Sequence, residues 1–199
     1  MHPHSEIHHF YTNQGPMSDP AEFTALLNRL PDDIASLCKV VQGNLLHIFW
    51  VERYGRKLSE TEEQTVGLRS MRQKLSLIRA VDDKTLVNPR HLYKKQAGNC
   101  RDFSLMLTSF LRYLGIPARA RCGFGKYFLP GHFEDHWVTE YWDDQRQAWV
   151  LVDSQLDDFQ LEILKPDFSP LDVPRDQFII AADAWQMCRQ GSADPKNFG

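Results

Sequence analysis

The sequence predicts an α+β fold, because helical apolar spacing fills its first half and strand-like alternation fills residues 118–154. The 199 residues fit one domain of ordinary size. Hydrophobic residues make up 42% and charged residues 25%, which suits a soluble protein with a sizeable core. We expect one domain over 1–199, with a mainly helical part at 1–95, core motifs at 96–160 and a helix-containing extension at 161–199.

Three helices are predicted in the first half of the chain. The first has Asp19 as its cap and Pro20 at the first helical position. The third begins with Ser59 and Glu62, which fit a capping box. Residues 1–18 carry His, Gly and Pro and are predicted to be irregular. The predicted helical spans are 20–30, 31–55 and 59–81.

The second half begins with a strongly apolar helix and continues as strands. The helix is predicted from Cys100 to Leu114 and is followed by a Gly-Ile-Pro stop. Aromatic and β-branched stretches then predict strands, the last two joined as an antiparallel hairpin by a charged turn. A closing helix has Gly191 as its stop. The predicted strands are 118–128, 136–143 and 148–154, and the closing helix covers 175–190.

Composition and charge exclude several classes of partner. The net charge is −3 without a basic excess, so neither nucleic acid nor an anionic membrane is expected to bind. The longest apolar runs are far below the roughly 18 residues that span a bilayer. The N-terminal residues lack the layout of a signal peptide, so a cytoplasmic protein is expected. No feature predicts an oligomeric state.

Cys100 is the candidate nucleophile. It lies in the first turn of the predicted helix, where unpaired N–H groups and the positive end of the dipole favour a thiolate. The same N–H groups can stabilise an oxyanion. Gly98 allows the preceding segment to approach the helix closely. The other cysteines, Cys38, Cys122 and Cys188, are predicted to be free thiols with only a packing role.

A nucleophilic thiolate needs an imidazole and an acceptor that orients the imidazole. His136 begins one predicted strand and Asp153 ends the next. If the hairpin turns near residue 145, His136 and Asp153 both lie at the end of the two strands that is away from the turn. We therefore predict that they are cross-strand neighbours.

Two segments resemble the transglutaminase-like superfamily: GNCRDFSLMLTSFLRYLGIPARARCGF and DHWVTEYWDDQRQAWVLVD. They contain G-x-C at a helix start, a G-I-P-A-R exit, an H-x-x-x-E strand and a W-x-x-x-D strand, in the family's order, within about 95–154. One departure is that Trp137 directly follows His136, where many members have H-x-W. The resemblance implies a papain-like α+β core, with the cysteine helix packed on an antiparallel sheet. The remaining helical parts are similar to extensions in bacterial members.

The resemblance implies a triad in which Cys100 is the nucleophile, His136 the base and acid, and Asp153 the orienting carboxylate. Such an enzyme attacks an amide, ester or thioester carbonyl and passes the acyl group to water or to an amine, two outcomes that both stay open. The expected partner is a peptide, protein or small-molecule acyl substrate, and no cofactor is expected. The alternative is a non-catalytic protein that binds a peptide or small molecule on the same fold.

The polar residues close to the triad in sequence are given expected roles from their positions relative to Cys100 and His136. Gln96 is the candidate oxyanion donor, and Asn99 is its alternative, although either side chain also suits a turn cap. Asp102 is expected to be solvated or to cap the helix. Glu140 is expected either to support His136 or to pair with an arginine.

Aromatic residues around the triad predict a substrate cleft or, alternatively, a sheet core. The cleft candidates are Phe128, Trp137 and Trp142. Residues 123–135 contain three glycines and a proline and are predicted to be a mobile loop over the cleft. A zinc site is disfavoured because its possible ligands are poorly spaced, and no acidic loop suits calcium, so no metal is expected. The disfavoured zinc ligands are Cys100, Cys122, His132 and His136.

Overall fold

The computed structural model describes residues 3–199 and has the predicted α+β architecture, in which helices cover an antiparallel sheet. Residues 1 and 2 of the predicted irregular segment lie outside the described residues. The helices are α1 (Pro3–Thr12), α2 (Ile34–Asn44), α3 (Glu60–Thr65), α4 (Met71–Val81), α5 (Cys100–Tyr113), α6 (Asp158–Leu164) and α7 (Ala181–Arg189). The strands are β1 (Leu45–His47), β2 (Gln96–Gly98), β3 (Ala118–Gly125), β4 (Glu134–Asp143), β5 (Ala148–Val152) and β6 (Phe178–Ile180). Short 3-10 helices cover Ala21–Leu27, Ile48–Tyr54, Leu92–Lys94 and Pro195–Asn197.

The main sheet has four antiparallel strands in the order β5-β4-β3-β6. The predicted hairpin is present as β4 and β5, with Asp143 opposite Ala148 at its turn end. A second, two-stranded sheet pairs β1 with β2 in parallel. It connects the end of α2 to the segment just before α5.

Helix α5 is central to the apolar core. It packs on β3 and β4 on one side and on α2 and α4 on the other. Its fully buried side chains include Met106, Leu107 and Phe110, which belong to one cluster with residues of α2, α4 and the sheet. The start of α5 is thereby held against the sheet, as the family resemblance implied.

Several boundaries differ from the sequence prediction. Helical turns over 3–12 replace part of the predicted irregular segment, and 20–30 contains a 3-10 helix rather than an α-helix. The predicted helix 31–55 ends at Asn44, whose side-chain amide donates to the carbonyls of Val40 (2.6 Å) and Leu86 (2.8 Å). The following residues pair with β2, a distant partner that overrides local helical spacing.

The predicted helix 59–81 is two helices, α3 and α4. The predicted capping box at Ser59 and Glu62 is present, and Ser70 with Gln73 forms a second one that begins α4. Near the C-terminus, β6 precedes α7, and Gly191 follows that helix with a φ of 72°, as a C-terminal stop requires. Within residues 3–199, no helix has the length and apolar character needed to cross a membrane.

Candidate active site

His136 and Asp153 are in direct contact. His136 lies on β4, and Asp153 follows the last residue of β5. The Nε2 atom of His136 is 2.8 Å from Oδ2 of Asp153, and the two side chains are 3% and 1% exposed. Thr139 pairs with Val152, so the register, continued by one residue, sets Asp153 opposite Val138. The two residues are therefore diagonal neighbours across the hairpin rather than directly opposite.

Cys100 and His136 line the same cavity, which has a volume of about 580 Å³. Because Nε2 of His136 faces Asp153, Nδ1 is the ring nitrogen left for the thiol. Burial opposes the charged imidazolium, but the Asp153 carboxylate outweighs it. Together with a hydrogen bond and charge from Cys100, it raises the pKa of His136 to about 10. His136 is therefore protonated at neutral pH, between the Asp153 carboxylate and the Cys100 thiol.

The raised pKa of His136 makes stability depend on pH. A group whose pKa is higher in the folded protein stabilises it fully below the unfolded value of 6.5 and loses that contribution as pH rises through about 10. We expect the free energy of unfolding to fall between pH 7 and pH 10, measured by urea denaturation. Asp153→Asn removes the main cause of the shift, so the fall is expected to be smaller in that variant. An equal fall in both proteins would contradict this explanation.

Asp153 has two further hydrogen bonds. The Tyr127 hydroxyl donates to Oδ2 at 2.8 Å, and the Gln155 N–H donates to Oδ1 at 3.0 Å. Burial disfavours the carboxylate, but His136, Tyr127 and Gln155 together lower the pKa of Asp153. No role in the triad was predicted for Tyr127 from the sequence, because its spacing gives no sign of a bond to Asp153.

Asp102 anchors the start of α5. Its side chain accepts the Asn99 N–H (3.0 Å) and pairs with Lys74 and Arg101 (2.8 Å each). Asp102 and Lys74 are completely buried, so the prediction of a solvated carboxylate was wrong, whereas the capping role is present. Burial lowers the pKa of Lys74 even beside Asp102. A Cβ at Gly98 would lie 2.7 Å from Asp102 Oδ2, so glycine is needed for this close approach.

His47 is a site residue that sequence reasoning missed. It ends β1, pairs with Gly98 and lines the same cavity as Cys100 and His136. Its Nδ1 accepts the N–H of Phe49 at 3.4 Å. Burial, reinforced by the charge of His136, lowers the pKa of His47 to about 3. It was missed because local spacing assigned it to a helix, whereas the strand pairing that brings it to the site is non-local.

The cavity wall contains aromatic and apolar side chains together with charged ones. Phe128 and Trp137, two of the three cleft candidates, line it. Phe128 belongs to the connection 126–133 between β3 and β4, which is shorter than the predicted loop because both strands extend into that loop. Charged lining residues include Arg53, Arg69, Arg101, Glu134 and Asp135.

Two predicted site residues lie elsewhere. Trp142 is at the hairpin end of β4, where its indole N–H donates to Asp144 at 2.9 Å and its ring contacts Trp149. It lies six positions further along the extended strand than His136, a distance of roughly 20 Å. Gln96 is buried and lines a separate cavity of about 150 Å³ beside α3 and α4. The structure therefore brings neither residue to Cys100.

The remaining polar candidates also have other partners. Glu140 is buried and pairs with Arg119, Arg121 and Arg175, which answers the open question about its role in favour of arginine pairing. His132 contacts the carbonyl oxygen of Gly199 at 2.7 Å. Among the side chains that the structure describes, no three from His, Cys, Asp or Glu are grouped as metal ligands.

A larger cavity of about 770 Å³ lies along α2 and has neither cysteine nor histidine in its wall. Its lining includes Lys39, Gln42, Lys95 and Asp157. Since it holds no candidate nucleophile with a neighbouring base, the smaller cavity at Cys100 is the candidate active site.

Comparison with known proteins connects this geometry to a family. The sequence model of the transglutaminase-like superfamily matches residues 54–154, just over half of the chain. A crystal structure of a putative cysteine protease from Cytophaga hutchinsonii is similar at 19% identity, with a TM-score of 0.44. The similarity covers 87% of this chain and 47% of that one, so the chain spans about half the length of that protein. No curated protein matches the chain. The extent of the family match shows that the chain belongs to the transglutaminase-like superfamily.

Proposed function

We propose that the protein is a thiol enzyme that transfers acyl groups from an amide, ester or thioester, with Cys100, His136 and Asp153 as its triad. The observation that carries the proposal is the arrangement of His136. It shares a cavity with Cys100 and bonds Asp153 through Nε2 at 2.8 Å, both side chains being buried. This is the order of nucleophile, base and orienting acceptor that thiol acyl transfer needs.

The mechanism follows from the protonation of His136. Its raised pKa makes it the acid of the pair, which leaves the Cys100 sulfur as the group that attacks the carbonyl carbon. His136 then gives its proton to the leaving group as the tetrahedral intermediate collapses to a thioester. Neutral His136 next takes a proton from water, for hydrolysis, or from an amine, for transfer. The attack of that acceptor releases the acyl group and restores the thiolate.

We also propose a single domain over 1–199 and a cytoplasmic setting. The largest buried apolar cluster contains residues from Leu27 to Val152. A second cluster packs Val173 and Phe178 of the C-terminal part against Val138 and Leu151 of the sheet, which supports a single domain. The mechanism needs a reduced thiol, and Cys38, Cys100, Cys122 and Cys188 are all free. A reducing compartment suits such a set of thiols.

The test uses the other cysteines of the chain as internal controls. Cys122 is exposed whereas Cys100 is half-buried, so accessibility alone predicts faster alkylation of Cys122. Burial and the neighbouring Cys100 raise the pKa of Cys122. We expect iodoacetamide at pH 6 to modify Cys100 first, because alkylation needs a thiolate. The adduct is located by peptide mass spectrometry.

The His136→Ala variant supplies the matched comparison. We expect it to lose the preference for Cys100 while the alkylation of Cys122 stays unchanged. Equal labelling of the two cysteines, or a preference that survives in His136→Ala, would exclude the triad. Selective labelling without turnover on a panel of esters and amides would instead favour the binding-protein alternative.

A further inference from the structure

A second histidine lies beside the candidate nucleophile and has no role in the triad. His47 ends β1, and its parallel partner on β2 is Gly98, two residues before Cys100. It is 6% exposed, and it lines the cavity together with Cys100 and His136. Backbone pairing on one side and the 3-10 helix 48–54 on the other hold it in this position. A substrate carbonyl bound at Cys100 would therefore occupy the cavity that the His47 ring lines.

The hydrogen bond of Nδ1 defines the tautomer of His47. Nδ1 accepts the N–H of Phe49, so this nitrogen carries no proton. In the neutral ring the proton is then on Nε2. Burial, together with the charge of His136, keeps His47 neutral above a pKa of about 3. A neutral ring of this kind donates one N–H and is too weak a base to compete with His136 for a proton.

We propose that His47 is the side-chain donor to the oxyanion: its Nε2–H and the backbone N–H of Cys100 bind the substrate oxygen as negative charge develops on it. This proposal rests on the proposed function. The hydrogen bond strengthens in the transition state, and no proton is transferred. Gln96, which sequence position favoured for this role, lines a different cavity. The backbone N–H of Cys100 belongs to the first turn of α5, where helical N–H groups have no partner within the helix.

The test compares two reactions of the same thiol. Acylation by p-nitrophenyl acetate passes through an oxyanion, whereas alkylation by iodoacetamide does not. For His47→Phe, we expect acylation of Cys100 to slow by about 100-fold and alkylation to change by less than about threefold. His47→Gln keeps a side-chain N–H donor and is expected to recover most of the acylation rate. Nitrophenolate release measures the first reaction, and mass spectrometry measures the second.

Other outcomes separate this inference from the proposed function. If the wild-type protein reacts selectively with both reagents but His47→Phe acylates at the wild-type rate, His47 is not the donor. Equal slowing of both reactions would assign His47 to support of the thiolate and would also overturn the inference. If wild-type Cys100 shows no selectivity with either reagent, the proposed function fails instead. Circular dichroism checks folding, and His47→Leu replaces His47→Phe if the phenyl ring is not accommodated.

Discussion

Replacing Asp102 by asparagine is expected to lower the free energy of unfolding by about 3–5 kcal/mol. Asparagine keeps the size of the side chain and an oxygen that accepts the Asn99 N–H, but it removes the charge that faces Lys74. Lys74 is completely buried and has its ammonium 2.8 Å from Asp102, so the variant leaves a buried cation without its counter-charge. Urea denaturation at neutral pH measures the difference.

A double variant distinguishes this cause from a general packing defect. Lys74→Met combined with Asp102→Asn removes both charges and leaves no unpaired ion in the core. Because the cost of a broken buried pair is mainly the charge left behind, we expect the double variant to be more stable than Asp102→Asn alone. Additive losses in the double variant would show that the charge pair is not the reason for the loss.

Replacing Asp153 by alanine is expected to slow acylation of Cys100 by about 10²–10⁴-fold. The change removes the acceptor that fixes the His136 ring and leaves burial as the main influence on its pKa. The ring then loses both its orientation and its proton at neutral pH. Release of nitrophenolate from p-nitrophenyl acetate at pH 7 measures the rate, with folding checked by circular dichroism.

Asp158→Ala is the matched control for that experiment. Asp158 is exposed and pairs with Lys39 on the surface, outside the Cys100 cavity. An exposed ion pair contributes little to stability, so this variant is expected to react at the wild-type rate. If folded Asp153→Ala is acylated as fast as Asp158→Ala, Asp153 does not belong to the proposed triad.

The parts of the fold predicted well are those with local signals. Helix α5 has an apolar stripe, a defined start and a Gly-Ile-Pro end, and it was predicted to within one residue. The hairpin was predicted from two aromatic strands and a charged turn, which also brought His136 near Asp153. Local periodicity and turn chemistry determine such elements, and a single sequence contains both.

The parts predicted poorly depend on contacts between distant residues. The position of His47 is determined by its pairing with Gly98, and no pattern near residue 47 indicates that partner. Gln96 is close to Cys100 in sequence, but its side chain belongs to another cavity. Trp142 shares a strand with His136 but lies at the opposite end of the hairpin. Proximity in sequence was a good guide along one helix and a poor guide across strands.

The parallel pairing of β1 and β2 also affects the order in which the molecule folds. It joins segments separated by about fifty residues, whereas α5 and the β4–β5 hairpin need only short loops to close. Helical and hairpin signals are therefore expected to return early during refolding. His47 reaches Cys100 only after the long loop has closed, so the completed pocket is among the last features to form.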